Sequence, residues 1–252
     1  MENLHIHVPY SKIYDYIDII QKEKFNLEIY FDSQSLDCIT QKDITELKRV
    51  LSYEPSLSFH APFMDLSPGA VDSKVREVTI ERFNQVFDIA EILKPKSIVF
   101  HSGYEKWKYA FKVDVWLQAS LKTWERILPR AERLNIKIAI ENIFEEDPEN
   151  LKMLVEKLYC PYFGICLDTG HFNLFSKKSI EEWLNSLDKY IIELHLHDNN
   201  KQFDEHLCIG CGSFDFEKFF GLFKNKNCIY TIEAHSPEDV FKSIKKFNEL
   251  IK

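Results

Sequence analysis

The order of the elements is clearest in residues 97–142, which read SIVFHSGYEKWKYAFKVDVWLQASLKTWERILPRAERLNIKIAIEN. The apolar runs Ser97–His101 and Lys137–Asn142 predict two short strands. A strand, a helix and a second strand in this order predict a right-handed crossover within a parallel sheet. The helix is predicted from apolar residues that recur every three or four positions: Leu117, Leu121, Trp124, Leu128, Ala131 and Leu134.

The same alternation continues in both directions from this unit. A second amphipathic pattern lies between Val71 and Leu93, and the pairs Asp147-Pro148 and Ser236-Pro237 are typical of helix starts. Eight strands without a spare pair of helices predict a closed (β/α)8 TIM barrel of the α/β class. No linker divides residues 1–252, so we expect a single domain. The remaining predicted strands are Leu4–Val8, Leu27–Phe31, Leu57–Phe63, Phe163–Asp168, Ile191–His197 and Ile229–Glu233.

The composition excludes several classes of protein. With 45% hydrophobic and 29% charged residues, the chain is neither intrinsically disordered nor collagen-like nor a disulfide-stapled miniprotein. A formal net charge of −8 argues against sequence-independent binding of nucleic acid. The sequence has no signal-like start and no apolar run long enough to span a membrane. Six scattered cysteines, including the single CxxC pair Cys208 and Cys211, suit reduced thiols, so we expect a cytoplasmic protein.

Histidines and carboxylates concentrate at the ends of the predicted strands. All nine histidines lie in predicted strands or in the loops just after them, and the carboxyl ends of parallel barrel strands meet at one mouth. Glu141, Asp168 and Glu233 each follow an apolar run, where a buried carboxylate needs a cation. The motifs FHAPF, FHSG, ENIF, LDTGH and HLHDN contain no Lys or Arg, which favours a metal ion over a salt bridge.

These motifs together resemble the xylose isomerase-like TIM barrel superfamily. That superfamily contains sugar phosphate isomerases and epimerases and the endonuclease IV (AP endonuclease family 2) relatives. The isomerases hold one divalent metal with four residues, which match Glu141, Asp168, His195 and Glu233. Endonuclease IV-like enzymes add five ligands, which match His60 in FHAPF, His101 in FHSG, His171 in LDTGH, and Asp204 and His206 in DEHLCIGCG.

The resemblance implies a site for two or three divalent ions of zinc, manganese or iron. His60, His101 and Glu141 would hold the first ion. Glu141 would bridge to a second ion, which Asp168, His195 and Glu233 complete, and His171, Asp204 and His206 would hold the third. Asn142, His197 and Asp198 are candidates for supporting hydrogen bonds to the ligand imidazoles.

The resemblance favours metal-dependent hydrolysis of a phosphoester or phosphodiester in a small sugar-phosphate or nucleotide-like metabolite. Duplex DNA is not the expected substrate, because Phe63-Met64-Asp65 stands where endonuclease IV has its Tyr-Leu wedge. The alternative is a single-metal sugar or sugar-phosphate isomerase or epimerase. In either enzyme Glu141 and Glu233 are the expected catalytic residues, and in the isomerase they would move a proton between adjacent carbons. A third interpretation is a non-catalytic metal-binding barrel.

Candidate substrate contacts lie in the loop after the fourth predicted strand, EKWKYAFKVDVW. Its cationic and aromatic side chains stand side by side and suit a phosphate attached to a ring. The alternative is an ordinary solvated loop with its tryptophan folded onto the barrel. The candidate residues are Lys106, Trp107, Lys108 and Tyr109.

Overall fold

A computed structural model describes residues 3–225 and 227–251. Eight parallel strands form a closed barrel in chain order, with the last strand paired to the first. The predicted TIM barrel is therefore confirmed, and every predicted strand is present. The strands are β1 (Leu4–Pro9), β2 (Asn26–Tyr30), β3 (Leu57–His60), β4 (Ser97–His101), β5 (Lys137–Glu141), β6 (Phe163–Asp168), β7 (Ile191–Leu196) and β8 (Ile229–Ile232).

The helices cover the outside of the barrel. A 3-10 helix, Tyr10–Asp15, follows β1, and a second, Asp188–Tyr190, precedes β7. Within the described residues, no helix combines the length and the apolar character that crossing a membrane requires. The cytoplasmic location stays a prediction. The α-helices are α1 (Ile17–Glu23), α2 (Ser33–Cys38), α3 (Gln41–Val50), α4 (Ser73–Leu93), α5 (Val113–Leu134), α6 (Glu149–Leu158), α7 (Thr169–Phe175), α8 (Ile180–Leu187), α9 (Phe216–Leu222) and α10 (Pro237–Leu250).

Local sequence explains where several of these elements begin and end. Strand β3 stops at His60, three residues before the predicted end, because Pro62 has no N–H to continue the ladder. Helix α10 begins as predicted, since the Ser236 hydroxyl accepts a hydrogen bond from the Asp239 N–H and Pro237 occupies the first helical position. Pro148 likewise stands at the N-cap of α6.

The main hydrophobic core lies between the outer face of the sheet and the helices. Phe83 of α4, Phe100 of β4 and Trp124 of α5 are buried there, and the Trp124 ring lies 5.4–5.6 Å from both phenylalanine rings. Burying an aromatic side chain of this kind stabilises the fold by about 1.5–3 kcal/mol. These contacts hold the helical layer against the barrel and fix the strand ends.

The inside of the barrel is polar, whereas such barrels usually fill it with branched apolar side chains. Ser97 donates to Glu193 Oε2 at 2.6 Å, and Thr231 donates to Glu193 Oε1 at 2.9 Å. His5 Nδ1 lies 2.8 Å from the Ser58 hydroxyl. Two of these three bonds join strands that are not neighbours in the sheet, so they cross the interior. Hydrogen bonds therefore organise part of the lumen, and Val99, Ala139 and Cys166 form a small apolar cluster separate from the main core.

The structure corrects the expectation that all cysteines are reduced. Cys208 and Cys211 form a disulfide, with their Cα atoms 5.4 Å apart, a usual separation for such a bond. A tight turn brings them together, because the Cys211 N–H donates to the Cys208 carbonyl at 2.9 Å. The thiols of the other four cysteines are free. The disulfide lies in the segment between β7 and α9, which also carries Asp204 and His206.

Candidate metal centre

All nine predicted ligands lie at the carboxyl-terminal mouth of the barrel. Strand pairing places neighbouring ligands side by side, because His101 is in register with Glu141 and Asp168 is in register with His195. Five ligands end the strands β3 to β7 or lie within their last residues, and Glu233 directly follows β8. His171 belongs to α7, and Asp204 and His206 lie in the segment after β7.

The first group of ligands surrounds one oxygen of Glu141. His60 Nε2 lies 3.1 Å from Glu141 Oε2, and His101 Nε2 lies 3.4 Å from the same oxygen. The other ring nitrogen of His60, Nδ1, bonds to the Ala61 carbonyl at 2.8 Å. This backbone bond assigns the N–H to Nδ1 and leaves Nε2 with its lone pair toward Glu141.

The second group surrounds Nδ1 of His195. This buried atom lies 3.2 Å from Glu233 Oε1, 3.6 Å from Glu141 Oε1 and 3.8 Å from Asp168 Oδ2. It has no hydrogen-bond partner among the residues that the structure describes. A buried imidazole nitrogen in this state, aimed at three carboxylates, fits a ligand for a cation.

The third group is joined through Asp204. Its Oδ2 lies 3.3 Å from His171 Nε2 and 3.1 Å from His206 Nε2. Asp168 caps α7 by accepting the His171 N–H at 2.6 Å, which positions the His171 ring toward Asp204. His206 adopts a left-handed backbone with φ of 48°, a strained conformation for a non-glycine residue and one that recurs at functional sites.

The donor atoms in these groups have the spacing that a divalent ion requires. Two nitrogen or oxygen ligands at ~2.0–2.2 Å from a tetrahedral ion lie about 3.3–3.6 Å apart. The pairs measured above span 3.1–3.8 Å. These groups could therefore hold divalent metal, whereas the identity of the metal and the number of ions stay predictions.

The electrostatics of the cluster differ from one ligand to the next. Burial would raise the pKa of Glu141, but His101 and His195 outweigh burial and lower that pKa well below its usual value. Burial lowers the pKa of His101 to about 3, which keeps this imidazole neutral. Metal binding needs charged carboxylates and neutral imidazoles, a state that Glu141 and His101 already have at neutral pH. Burial opposes the charged form of His171, His195 and His206, but neighbouring acidic groups raise the pKa of each, so these three imidazoles must release protons when an ion binds.

Two residues next to the cluster, the half-buried His7 and the buried Glu28, were missing from the sequence prediction of the site. His7 Nδ1 lies 2.8 Å from Glu28 Oε1 and 3.2 Å from Glu233 Oε1. Glu28 Oε2 in turn lies 3.1 Å from His195 Nε2, so Glu28 joins both histidines. The signal was present in the sequence: Glu28 interrupts the apolar strand NLEIY, and His7 shares a strand face with His5.

The three candidates for supporting hydrogen bonds act in different ways. His197 Nε2 lies 3.0 Å from Asp168 Oδ2, and its ring stacks on His206 with 4.0 Å between centroids. A Cβ at Gly170 would overlap the His197 ring, so only glycine fits there. Asn142 bonds to the backbone of Asp168, and Asp198 accepts backbone N–H groups of the loop after β7. The backbone carbonyl of Asn142 also lies 3.1 Å from Nδ1 of the ligand His171, whereas Asp198 supports the loop.

The four candidate substrate residues separate in the structure. Lys108 lines the cavity above the metal ligands and donates to the Ser67 hydroxyl at 3.0 Å. Tyr109 is buried and bonds to the same hydroxyl at 3.2 Å. Lys106 pairs with Glu146, and Trp107 is 67% exposed, with neither residue in the cavity lining. Of the four, only Lys108 therefore lines the cavity that contains the metal ligands.

A cavity of about 1030 Å³ opens above the three groups. His60, His101, Glu141 and Glu233 form part of its floor, and aromatic rings such as Tyr30 form part of its wall. Among the described residues, the lining contains two lysines, Lys12 and Lys108, and no arginine. Pockets of about 300–1,000 Å³ hold drug-sized ligands, so the volume suits a small molecule.

Comparison with known proteins agrees with this architecture. The family model described as "Xylose isomerase-like TIM barrel" matches residues 14–250. An uncharacterized protein of Methanocaldococcus jannaschii is 32% identical over 209 residues, which are 80% of each chain. The crystal structure of a D-tagatose 3-epimerase-like protein has a TM-score of 0.83 at 27% identity, covering 99% of this chain and 97% of that one. A probable endonuclease 4 of Mycoplasma mobile is 30% identical over 152 residues, which cover 52% of this chain and 53% of that protein.

Proposed function

Because the chain belongs to the xylose isomerase-like TIM barrel family, we propose that it is a metal-dependent hydrolase. The bond that it cleaves is a phosphoester or phosphodiester in a small sugar-phosphate or nucleotide-like metabolite. One observation carries this proposal: two further ligand groups flank the set Glu141, Asp168, His195 and Glu233 at one mouth. A single-metal isomerase would need only that set, whereas phosphoryl transfer is served by several adjacent cations.

The residues that would hold the ions divide between the groups. Glu141 directs Oε2 toward His60 and His101 and Oε1 toward His171 and His195, so one carboxylate serves two groups. Divalent ions bound there would supply Lewis-acid activation of the phosphoryl group and of the attacking water. In this assignment the ligands are His60, His101, Glu141, Asp168, His171, His195, Asp204, His206 and Glu233.

Residues around the ligands support an anionic substrate. The carboxylates of Glu28 and Glu233 offset the burial of His7 and raise the pKa of His7 to about 10, so this imidazole is cationic in the cavity lining. Lys108 presents a second cationic group to the same cavity. Donors of this charge would bind non-bridging phosphoryl oxygens and stabilise the charge of the transition state.

The second candidate function is that of a single-metal sugar or sugar-phosphate isomerase or epimerase. The similarity to the D-tagatose 3-epimerase-like protein extends over nearly the whole chain. Glu141 and Glu233 both approach His195, at 3.6 and 3.2 Å, so the two carboxylates lie on one small site. In this candidate they would remove and return a proton on adjacent carbons of a sugar.

Duplex DNA is not part of the proposal. The similarity to the probable endonuclease 4 covers about half of each chain. The net charge of −8 and the two lysines of the described lining give little attraction for a DNA backbone. We expect weak or absent cleavage of abasic duplex DNA.

The decisive experiment compares two panels of substrates on the same purified protein. Metal content is counted, and phosphomonoesters, phosphodiesters and ketoses are then assayed with Zn²⁺, Mn²⁺ or Fe²⁺ added back. We expect hydrolysis of phosphoesters, with partial turnover in His206→Ala, which weakens the third group. Phe203→Ala is the matched control, because Phe203 lies in the same loop and is 71% exposed. Reaction of ketoses alone, with one ion per chain and no effect of His206→Ala, would establish the second candidate instead.

A further inference from the structure

The cavity above the metal ligands does not end at the barrel mouth. It continues outside the barrel wall between α1 and α10, along a segment that we call the apolar arm. Because the arm and the ligand groups line one cavity, a molecule bound at the ligands can extend into the arm without crossing a wall. The arm consists of Tyr16, Ile19, Ile20, Phe25, Val240 and Phe241.

The arm is apolar throughout and partly open. Ile20 and Val240 are buried, whereas Tyr16 is 37% exposed and Phe241 is 40% exposed. The rings of Phe25 and Phe241 lie 5.9 Å apart and join α10 to the segment between α1 and β2. None of the six side chains carries a charge at neutral pH. Exposed aromatic surface that borders a cavity gains free energy when an apolar group covers it.

The size of the cavity also favours a ligand with an apolar group in the arm. A volume of about 1030 Å³ is at the upper end of the range that holds drug-sized ligands. A sugar phosphate seated at the ligands would leave the arm filled with water against apolar side chains. Water in such a place lacks the polar partners that hold it. The arm is therefore better matched by an apolar group that belongs to the same ligand.

We propose that the substrate is amphipathic, with its phosphoester at the metal ligands and an extended apolar group, alkyl or aryl, in the apolar arm. The location of the phosphoester rests on the function proposed above, whereas the location of the apolar group rests on the shape and lining of the arm. The lining agrees with this division. His7 Nδ1 lies 3.2 Å from Glu233 Oε1 beside the ligands, whereas the six side chains of the arm are apolar. Lys12, which also lines the cavity, belongs to the 3-10 helix after β1 and pairs with Asp15.

The test measures how affinity depends on the length of an alkyl chain. Methyl, butyl, hexyl and octyl phosphate are titrated calorimetrically into the metal-loaded protein, below their micellar concentrations. We expect binding to tighten about fourfold for each methylene that enters the arm, the equivalent of ~0.8 kcal/mol. A flat series, in which octyl phosphate binds no tighter than methyl phosphate, overturns the proposal.

Two variants test whether the alkyl chain of the ligand lies in the arm. Ile19→Asn places a polar group in the arm, and Phe241→Ala removes its most exposed ring, so each should flatten the chain-length series. Tyr159→Ala is the control, because Tyr159 is 90% exposed and lies outside the cavity lining. Circular dichroism checks the fold, and if Ile19→Asn fails to fold, the exposed Phe241 position carries the test. If the affinity of Phe241→Ala still increases with alkyl length, the alkyl chain binds at another surface and the proposal is contradicted.

A parallel series of alkyl glucosides separates this inference from the proposed hydrolysis. If both series tighten with length but no phosphoester is cleaved, the arm is supported and the hydrolase proposal fails. If phosphoesters are cleaved without any length dependence, the hydrolase stands and the arm proposal fails. Sedimentation at increasing protein concentration provides the last comparison. Self-association that Phe241→Ala abolishes, together with flat binding series, would assign the arm to a second copy of the chain.

Discussion

Two layers inside the same barrel shift the pKa of identical residue types in opposite directions. The lower layer consists of His5, Ser58, Ser97, Glu193 and Thr231, and the mouth layer contains the nine proposed ligands with His7 and Glu28. Strand β1 contributes a histidine to each layer. Burial lowers the pKa of His5 to about 4, whereas the pKa of His7, despite its burial, is raised to about 10 by Glu233 and Glu28.

Glutamates show the same division. Burial, reinforced by the charge of Glu28, raises the pKa of Glu193 to about 8, so this side chain is mainly protonated at neutral pH. In the mouth layer, burial is again unfavourable to the charged form of Glu141, but hydrogen bonds and charge from neighbouring histidines such as His195 and His171 keep its pKa well below the usual value. Burial favours the neutral form in both layers, and only the presence of opposite charges reverses the outcome. The lower layer is thus a neutral hydrogen-bonded support, and the mouth layer is a charged cluster suited to ions.

The largest effect is expected when the shared carboxylate of the mouth layer is neutralised. Glu141→Gln leaves several buried imidazoles without their common partner, a loss of about 3–5 kcal/mol in buried charge pairing. We expect the number of bound ions to fall and phosphoester hydrolysis to drop by about 100-fold or more. Elemental analysis and initial rates measure the two effects. Unchanged metal content in Glu141→Gln would contradict the assignment of ion binding to the mouth layer.

The next effect concerns stability of the lower layer at acid pH. His5 is neutral in the folded protein down to about pH 4, whereas an unfolded histidine binds a proton below about pH 6.5. The stabilising contribution of His5 is therefore complete above pH 6.5 and is lost as the pH falls toward 4. The total is about 3 kcal/mol by proton linkage.

Denaturant unfolding between pH 4 and 7 measures this loss. His5→Gln cannot bind the proton, so its stability should fall less steeply with acid than that of the unmodified protein. His235→Gln is the control, because His235 is exposed and its replacement leaves His5 in place. Equal slopes in the protein and in His5→Gln would contradict the burial argument.

A smaller effect is expected at Glu28, a residue of the mouth layer that supports a ligand. Glu28→Gln removes a charged partner from His195 Nε2, which lies 3.1 Å from Glu28 Oε2, and therefore loosens the orientation of a ligand without removing it. Changes of this kind weaken metal affinity by about 10- to 100-fold. Competition with a chromophoric chelator measures the affinity. Because Glu28 acts through His195, added metal should restore the activity, whereas a purely structural defect would not respond to metal.

The smallest effect is expected for the matched substitution in the lower layer. Glu193→Gln keeps the shape of a side chain that is protonated in the folded protein, and Ser97 and Thr231 can still bond to the amide. We expect metal content to stay unchanged and the unfolding free energy at pH 6 to change by less than about 1 kcal/mol. A loss of metal as large as that in Glu141→Gln would show that the layers are one unit.

Much of the fold could be predicted from the chain alone. Periodicity located all eight strands, with β3 the largest error, because a proline two residues past His60 ends the ladder earlier than the apolar run suggests. Glu141, Asp168 and Glu233 are recognisable because each follows an apolar run at a strand end. His171, Asp204 and His206 lie beyond the strands and were predicted only through the family resemblance. Lys106, Trp107 and Tyr109 were harder to place, since the orientation of a loop side chain depends on partners such as Glu146 and Ser67 in other segments.

The amino-acid sequence by itself determined the barrel and the residue types at its mouth, because strand and helix periodicity are local properties of the chain. The tertiary structure alone decided that His5 is neutral and His7 charged, that Cys208 and Cys211 are joined, and that the cavity continues into an apolar arm. The reason is physical: a pKa depends on the charges within a few ångströms. Barrel closure brings Glu233 and Glu28 to His7 from opposite parts of the chain, so the charge of His7 exists only in the folded molecule.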